Sequence, residues 1–368
     1  MNNTNSQRAA PENTFLVATL SKAARAIASE AVLNLLEKEP AAAAGFGADP
    51  FVAWQQWLVA RLEELTTALL LQRPELFQTQ VRWACSALLA RGINLAHFRS
   101  GLVLLRQALA EELSEQAWAV TADYFERGLE AFIQAESDEP ADSNKMACSG
   151  GDEVFGRLTA EYLLAILEGD GRRASQVVLK EAAQGRAVED LYLRLLAPAQ
   201  AEIGRLWLAN EISIADEHLS SATVRRLMSQ LIGQAAACPP IGKTVLTAAV
   251  AGNRHDLGTQ VVADFFEMDG WRTMYLGADV PADALVEVLE TVDVDLLALS
   301  ATLAVQLPAL RETIDAIRSN PRCQHLKILV GGRAMKEAPD LAQQLGADAY
   351  AADAQQAVHA GRRLVGLN

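Results

Sequence analysis

The hydrophobic period of this chain changes once, just after Pro239-Pro240, and that change decides most of what it can fold into. Before it, apolar residues recur at three- and four-residue spacing, the period of a helix with one buried face. Stretches 51–71, 76–90, 95–113 and 117–133 show this most clearly. After it, short apolar runs alternate with helical patterns. The runs are 244–251, 272–276, 296–301, 328–330 and 349–351. The helical patterns among them are 259–268, 282–291, 306–319, 339–345 and 355–365. Strands alternating with helices make a doubly wound parallel sheet, and ligands of such sheets bind beyond the carboxyl ends of the strands.

The helical part divides at residues 136–152, ESDEPADSNKMACSGGD, whose acidic, small and Pro/Gly-rich composition is that of a linker. Breaks at Glu39-Pro40, 45–50, Arg73-Pro74 and Arg91-Gly92 cut the first block into five or six helices. In the second block Pro198 reads as the start of a new helix. The expectation is a multidomain α and α/β chain. It has a disordered tail (1–14), a helical bundle (15–135) and the linker (136–152). A second, four-helix block (153–238) and a flavodoxin-like, Rossmann-type parallel sheet domain (243–368) follow.

The net charge of −14 disfavours direct binding to nucleic acid, whose phosphates such a surface repels. No run reaches the apolar length of a membrane span, and the first residues are polar, so a soluble cytoplasmic protein is expected. Cys85, Cys148, Cys238 and Cys323 share no metal or redox spacing.

The residues that carry chemistry cluster after the strands. The first run leads into Gly252-Asn253-Arg254-His255-Asp256-Leu257-Gly258. Gly277-Ala278-Asp279-Val280-Pro281 follows the second run, Ser300-Ala301-Thr302 the third and Val330-Gly331-Gly332 the fourth. A dinucleotide site would put a glycine-rich turn in the first loop; a histidine stands there instead. Alone, a loop histidine is a solvated side chain, but three further loops with small or hydroxyl residues at the same edge leave room for a large ligand.

This constellation resembles the cobalamin-binding domain of B12-dependent methionine synthase and its relatives, marked by Asp-x-His-x-x-Gly, then Ser-x-Leu or Ser-x-Thr, then Gly-Gly. Here Asn253-x-His255-x-x-Gly258, Ser300-x-Thr302 and Gly331-Gly332 stand in that order. The resemblance implies that His255 is the axial ligand of cobalt. It further implies that Asn253, Arg254, Asp256, Leu257, Gly258, Gly277 and Val280 surround the corrin, and that the nucleotide tail runs past Ser300 and Thr302 beside Gly331-Gly332. The family's aspartate is Asn253 here. A second-shell partner sets the orientation and basicity of a ligating histidine, so the amide is expected to orient the ring without holding or releasing a proton.

In the second block, Trp207, Ile214 and Glu217-His218 follow one another at a spacing that resembles the four-helix cap of light-sensing, adenosylcobalamin-binding regulators. There the tryptophan and glutamate pack on the adenosyl group. The resemblance implies a non-enzymatic photoreceptor that holds adenosylcobalamin between cap and sheet, forms homo-oligomers and relays photolysis to a signalling partner, without that family's DNA-binding domain. The histidine that follows the tryptophan in that family is Leu208 here. The alternative is a corrinoid methyl carrier of a methyltransferase system, which shares cap and sheet. An adenosylcobalamin mutase would need a barrel, and none is encoded. A second chromophore in the bundle has only His97 to hold it.

Overall fold

The computed structural model describes residues 11–44, 48–137, 153–236, 238–336 and 338–367. They form two compact units, Met1–Asp142 and Ser143–Asn368.

The first unit is a bundle of α1 (Pro11–Lys38), α2 (Pro50–Leu71), α3 (Pro74–Ala90), α4 (Ala96–Glu112) and α5 (Glu115–Ser137). Pro50 and Pro74 stand in the first turns of their helices, where a missing N–H costs nothing. Asp49 caps α2 by accepting the Val52 N–H at 3.2 Å. Leu35, Leu58, Leu65, Phe77, Phe125 and Phe132 fill the core. Two expected boundaries shift. α1 already includes Pro11, inside the stretch read as tail. At the other end α5 runs through Ser137 into the expected linker. Residues 1–10 of the tail and 138–152 of the linker lie outside the described residues.

The second unit opens with four helical runs. They are α6 (Glu153–Leu167), α7 (Gly171–Ala183), a composite run of α8 (Val188–Asp190), a π-turn (Leu191–Leu196) and α9 (Ala197–Leu208), and α10 (Ile214–Leu231). Pro198 stands in the first turn of α9, as expected, but that helix continues directly from the π-turn before it. It has no N–H to give, and the widened π-turn just before it lets the helix continue. The start of α10 is a capping box, with Ser213 N–H donating to Asp216 Oδ2 at 2.8 Å and Asp216 N–H to Ser213 Oγ at 3.3 Å.

The sheet follows. It comprises β1 (Thr244–Ala249), α11 (Leu257–Met268), β2 (Arg272–Tyr275), α12 (Ala282–Thr291), β3 (Leu296–Ser300), α13 (Leu307–Ser319), β4 (Lys327–Gly331), α14 (Arg333–Lys336), α15 (Leu341–Gln344), β5 (Ala349–Ala351) and α16 (Ala354–Leu364). All strands are parallel, in the order β2-β1-β3-β4-β5. That is the flavodoxin-like order, whose switch point lies between β1 and β3. One sheet face, with Val245, Leu296, Ala298 and Leu329, packs on Phe266 of α11 and on Ala357 and Ala360 of α16. The outer side of α11 is buried too. Phe265 and Met268 join Tyr192, Leu195, Leu227 and Met228 of the helical part in one core. A shared core seats the four helices on the sheet domain.

Candidate cofactor site

Chain direction creates the site. After β1 the chain crosses to β2, and after β2 it crosses back to β3 on the other side of β1, so the loops after β1 and β3 diverge at the switch point. Asn253, Arg254 and His255 follow β1; Ser300 and Thr302 close β3. The structure brings these residues together through an unusual density of side-chain bonds to backbone.

Asn253 is fully buried. Its Nδ2 donates to the Ser300 carbonyl at 3.0 Å and its Oδ1 accepts the His255 backbone N–H at 3.1 Å. The amide thus braces the turn that carries His255 through its backbone. It uses both a donor and an acceptor, which a carboxylate does not offer. The Thr302 hydroxyl donates to the His255 carbonyl at 3.4 Å. His255 is held by its backbone while its side chain stands exposed.

Gln306 was not singled out by the sequence. Nearly fully buried, it accepts the N–H groups of Thr302 and Leu303 at 2.8 and 2.9 Å and donates to the Gly252 carbonyl at 3.2 Å. It buckles the β3 loop to the β1 loop. The Gly277–Val280 turn braces the same loop from β2. Asp279, at φ 56°, accepts the Gly252 N–H at 2.6 Å, and its own N–H donates to the Asn253 carbonyl at 3.0 Å. Val280 pairs with Val250. In this structure Gly277 and Val280 are scaffold for the loop.

Asp256 was expected beside the corrin, but its partners Arg225 and Tyr275 were missed. Arg225 of α10 holds its carboxylate with two bonds, of 2.7 and 3.2 Å, and the Tyr275 hydroxyl donates a third at 2.7 Å. Burial pushes the Asp256 carboxyl up, but the bonds from Arg225 and Tyr275 outweigh it and leave the group below its ordinary range. Burial and the neighbouring carboxylate push the Tyr275 phenol up. No local spacing announces this set, because Arg225 lies 31 residues before Asp256 and Tyr275 lies 19 after it.

The residues fit a large macrocycle with a polar tail. A Cβ on Gly258 would meet nothing within 4 Å, and one on Gly277 only Asp256 at 3.9 Å, so the mouth beside His255 is open. On the α11–α16 side of the sheet, the strand ends carry small residues: Thr247, Ala249, Ser300, Gly331 and Ala351. Thr259, in one stripe with Ala263 and Phe266, faces them. The Thr247 and Thr259 hydroxyls are buried without a partner among the described residues, which marks a place for a polar ligand. Gly332 is required by the backbone itself. Gly332 sits at φ 101°, and a Cβ there would lie 2.2 Å from the Ala301 carbonyl oxygen.

In the helical part, Trp207 is half-buried in the last turn of α9, Leu208 ends that helix, and Ile214 and His218 are exposed. Glu217 accepts from the Ser221 hydroxyl at 2.7 Å and lies 2.7 Å from His218 Nδ1. The bond that joins these helices to the His255 turn is Arg225–Asp256, two turns beyond Glu217 on the same helix ridge.

A doubly wound sheet with an exposed histidine at its switch point, seated under four helices, defines a ligand-binding α/β module with a helical cap. Residues 243–359 match the model of the B12 binding domain family, and residues 158–232 match a second B12 binding domain model. The sheet and the four helices above it thus each match a B12-binding family, which supports a cobalamin or related corrinoid as the cofactor. Dimethylamine corrinoid protein 1 of Methanosarcina acetivorans is 27% identical over 164 residues, 45% of this chain and 74% of that protein. A corrinoid protein of Desulfitobacterium hafniense is 24% identical over 219 residues, 57% of this chain and 98% of its own. Among solved structures, the monomethylamine corrinoid protein of Methanosarcina barkeri covers 56% of this chain and 98% of its own, with 20% identity and a TM-score of 0.49.

These relatives overturn the expectation of a photoreceptor with a signalling partner: they are named as corrinoid proteins, several of them dimethylamine corrinoid proteins, and not as light-sensing regulators. The structure explains how Trp207…Glu217-His218 misled. The string spans the end of α9, a capping box made by Ser213 and Asp216 and the start of α10, so its spacing follows the helix junction and does not by itself specify an adenosyl group. Among the described residues no helix is long and apolar enough to cross a membrane.

Proposed function

We propose that the C-terminal unit is a corrinoid methyl carrier, which takes a methyl group from one methyltransferase and yields it to another without being the catalyst of either transfer. The observation that carries this reading is the His255 turn, braced by Asn253, Thr302 and Asp256 while its side chain stays exposed at the open edge of a B12-binding domain. The relatives named as corrinoid proteins support it.

The corrin cobalt supplies the point at which a methyl group is held. The chain's part is to bind, orient and shelter. His255 would stand under the cobalt, with Arg254 and Leu257 beside it. The open backbone at Gly258 and Gly277 leaves room for the ring. The hydroxyls of Thr247 and Thr259 would satisfy the polar tail, which the small residues Ser300 and Gly331 let pass. Trp207, Ile214, Glu217 and His218 would line the opposite side, where a methyl group replaces the adenosyl group first expected. Residues 153–236 are then the cap and 243–367 the base.

The test is reconstitution. The full chain is loaded with hydroxocobalamin, desalted, reduced with titanium(III) citrate and treated with methyl iodide under dim light. Retention of about one corrin per chain and spectral uptake of a methyl group are expected. His255→Ala should keep much of the corrin but lose the signature of a nitrogen axial ligand. A chain that retains no corrin, or whose reduced corrin takes up no methyl group, sinks the proposal.

A further inference from the structure

We infer that Arg225, Asp256 and Tyr275 form a positioning set through which the seated cap fixes the orientation of His255. The inference rests on the corrinoid-carrier reading and adds residues to that site.

The first observation is what Asp256 does not do. It occupies the N-cap of α11, where an aspartate ordinarily accepts an N–H of the first turn and stabilises the helix. Here the side chain makes no capping bond. Both of its oxygens are turned away, Oδ1 to Arg225 and Oδ2 to Arg225 and Tyr275. The carboxylate forgoes its local role for a bond to the cap.

The second is where the bond lands. His255 precedes Asp256. Its N–H is held by Asn253, its carbonyl by Thr302, and the next residue by Arg225. Of these three restraints only the last comes from the cap; the other two come from the sheet domain itself. A two-pronged guanidinium–carboxylate pair fixes angle as well as distance, which a single lysine bond does not.

The third is the contrast with the rest of the cap junction. The remaining contact is mostly the apolar core of Phe265, Met268, Leu195 and Leu227, which seats the cap but sets no direction at His255. Arg225 is the polar link at the ligand turn, and its side chain is 45% exposed, so it is reachable and not needed to fill the core. When the cap is seated Asp256 is held by Arg225 and Tyr275 together; when Arg225 lets go, only the single Tyr275 bond remains and the turn loses its restraint from the cap. Arg225, Asp256 and Tyr275 touch no reacting atom and act through His255.

The test uses the full chain loaded with hydroxocobalamin and reduced to the cob(II)alamin state. The splitting of its electron paramagnetic resonance signal by a ligating nitrogen reports the His255-bound fraction. Arg225→Met is expected to raise the ratio of unligated to ligated cobalt on the order of tenfold, within the range of ordinary coupling between sites, while corrin stays bound and the melting temperature moves little. Arg225→Lys should recover part of the loss, and Tyr275→Phe should give a smaller shift of the same sign. Should Arg225→Met be unstable, Tyr275→Phe alone decides the matter. An unchanged ligated fraction in folded, corrin-loaded Arg225→Met and Tyr275→Phe overturns the inference. If the unaltered chain binds no corrin, or His255→Ala leaves the nitrogen splitting intact, the carrier reading itself falls instead.

Discussion

The two units bury polar groups in different ways. In the N-terminal bundle the buried ion pair is local: Arg61 and Glu64 lie three residues apart on one helix, beside Trp57. The C-terminal unit has a local pair too, Glu202–Arg205, but three other buried polar groups tie together distant parts of the chain. Asn253 reaches Ser300 across 47 residues, Gln306 reaches Gly252 across 54, and Tyr192 reaches Asp264 across 72. Local pairs decorate helices that apolar packing already holds. The bonds of Asn253 and Gln306 position loops and converge on the His255 turn, while Tyr192–Asp264 ties the cap to α11. A region built for packing and a region built for placement should therefore fail differently when altered.

The largest effect is expected where packing alone is removed. Trp54 is buried in the bundle, donates to the Ala42 carbonyl at 2.9 Å and lies against Phe98 and Trp57, with ring centroids 4.5 and 5.9 Å away. Trp54→Ala should cost about 3–5 kcal/mol of bundle stability, as deletion of a buried aromatic ring does. Urea unfolding of the bundle should shift by that amount while corrin retention stays as in the unaltered chain. Loss of corrin in this variant would show that placement in the second unit depends on packing in the first.

A middle-sized effect concerns the cap–sheet junction away from the ligand turn. Tyr192 Oη lies 3.1 Å from the Met228 carbonyl and 2.8 Å from Asp264 Oδ2, yet it has one hydrogen for two acceptors. A protonated Asp264 resolves this by donating to the phenol, which then donates to Met228. Burial pushes the Asp264 carboxyl up to about 6, with Tyr192 pulling it down and Glu267 pushing it further up. Its folded value lies above the unfolded 3.8. The folded state thus holds a proton that the unfolded chain releases between about pH 4 and pH 6. The stabilisation is complete at the acid end and is lost as pH rises through about 6. Asp264→Asn, neutral throughout, should match the unaltered protein near pH 4 and exceed it near pH 7 by about 2–3 kcal/mol at most. Urea denaturation across that range checks it, and a difference that does not vary with pH would refute the assignment.

How legible each region was follows from the same contrast. Bundle and sheet could be read from period, because burial of one helix face or of a whole strand is written in consecutive residues. The edge carrying His255 could be read too, since alternation of strand and helix dictates where strands end. Gln306 and the Arg225–Asp256–Tyr275 set could not, because their meaning lies in bonds to residues far along the chain. Trp207…Glu217-His218 shows the converse hazard: a local string can be produced by helix ends and caps, and it then says little about what lies beneath them.

The smallest effect isolates the residue at which this chain departs from the Asp-x-His-x-x-Gly pattern. Asn253→Asp keeps an oxygen for the His255 N–H but replaces the amide donor that faces the Ser300 carbonyl at 3.0 Å. Two acceptors would then confront each other in a fully buried place. At neutral pH the change should cost about 1–3 kcal/mol, the usual penalty for a buried group left unmatched. Part should return in acid, where a protonated carboxyl can donate to Ser300. Asn253→Ala removes both bonds and gains nothing in acid. Thermal melts of the two variants at pH 5 and pH 8 separate these cases. If Asn253→Asp proves as stable as the unaltered protein at both, the amide is not a brace, and its contact with the ring should be sought in the corrin-loaded state.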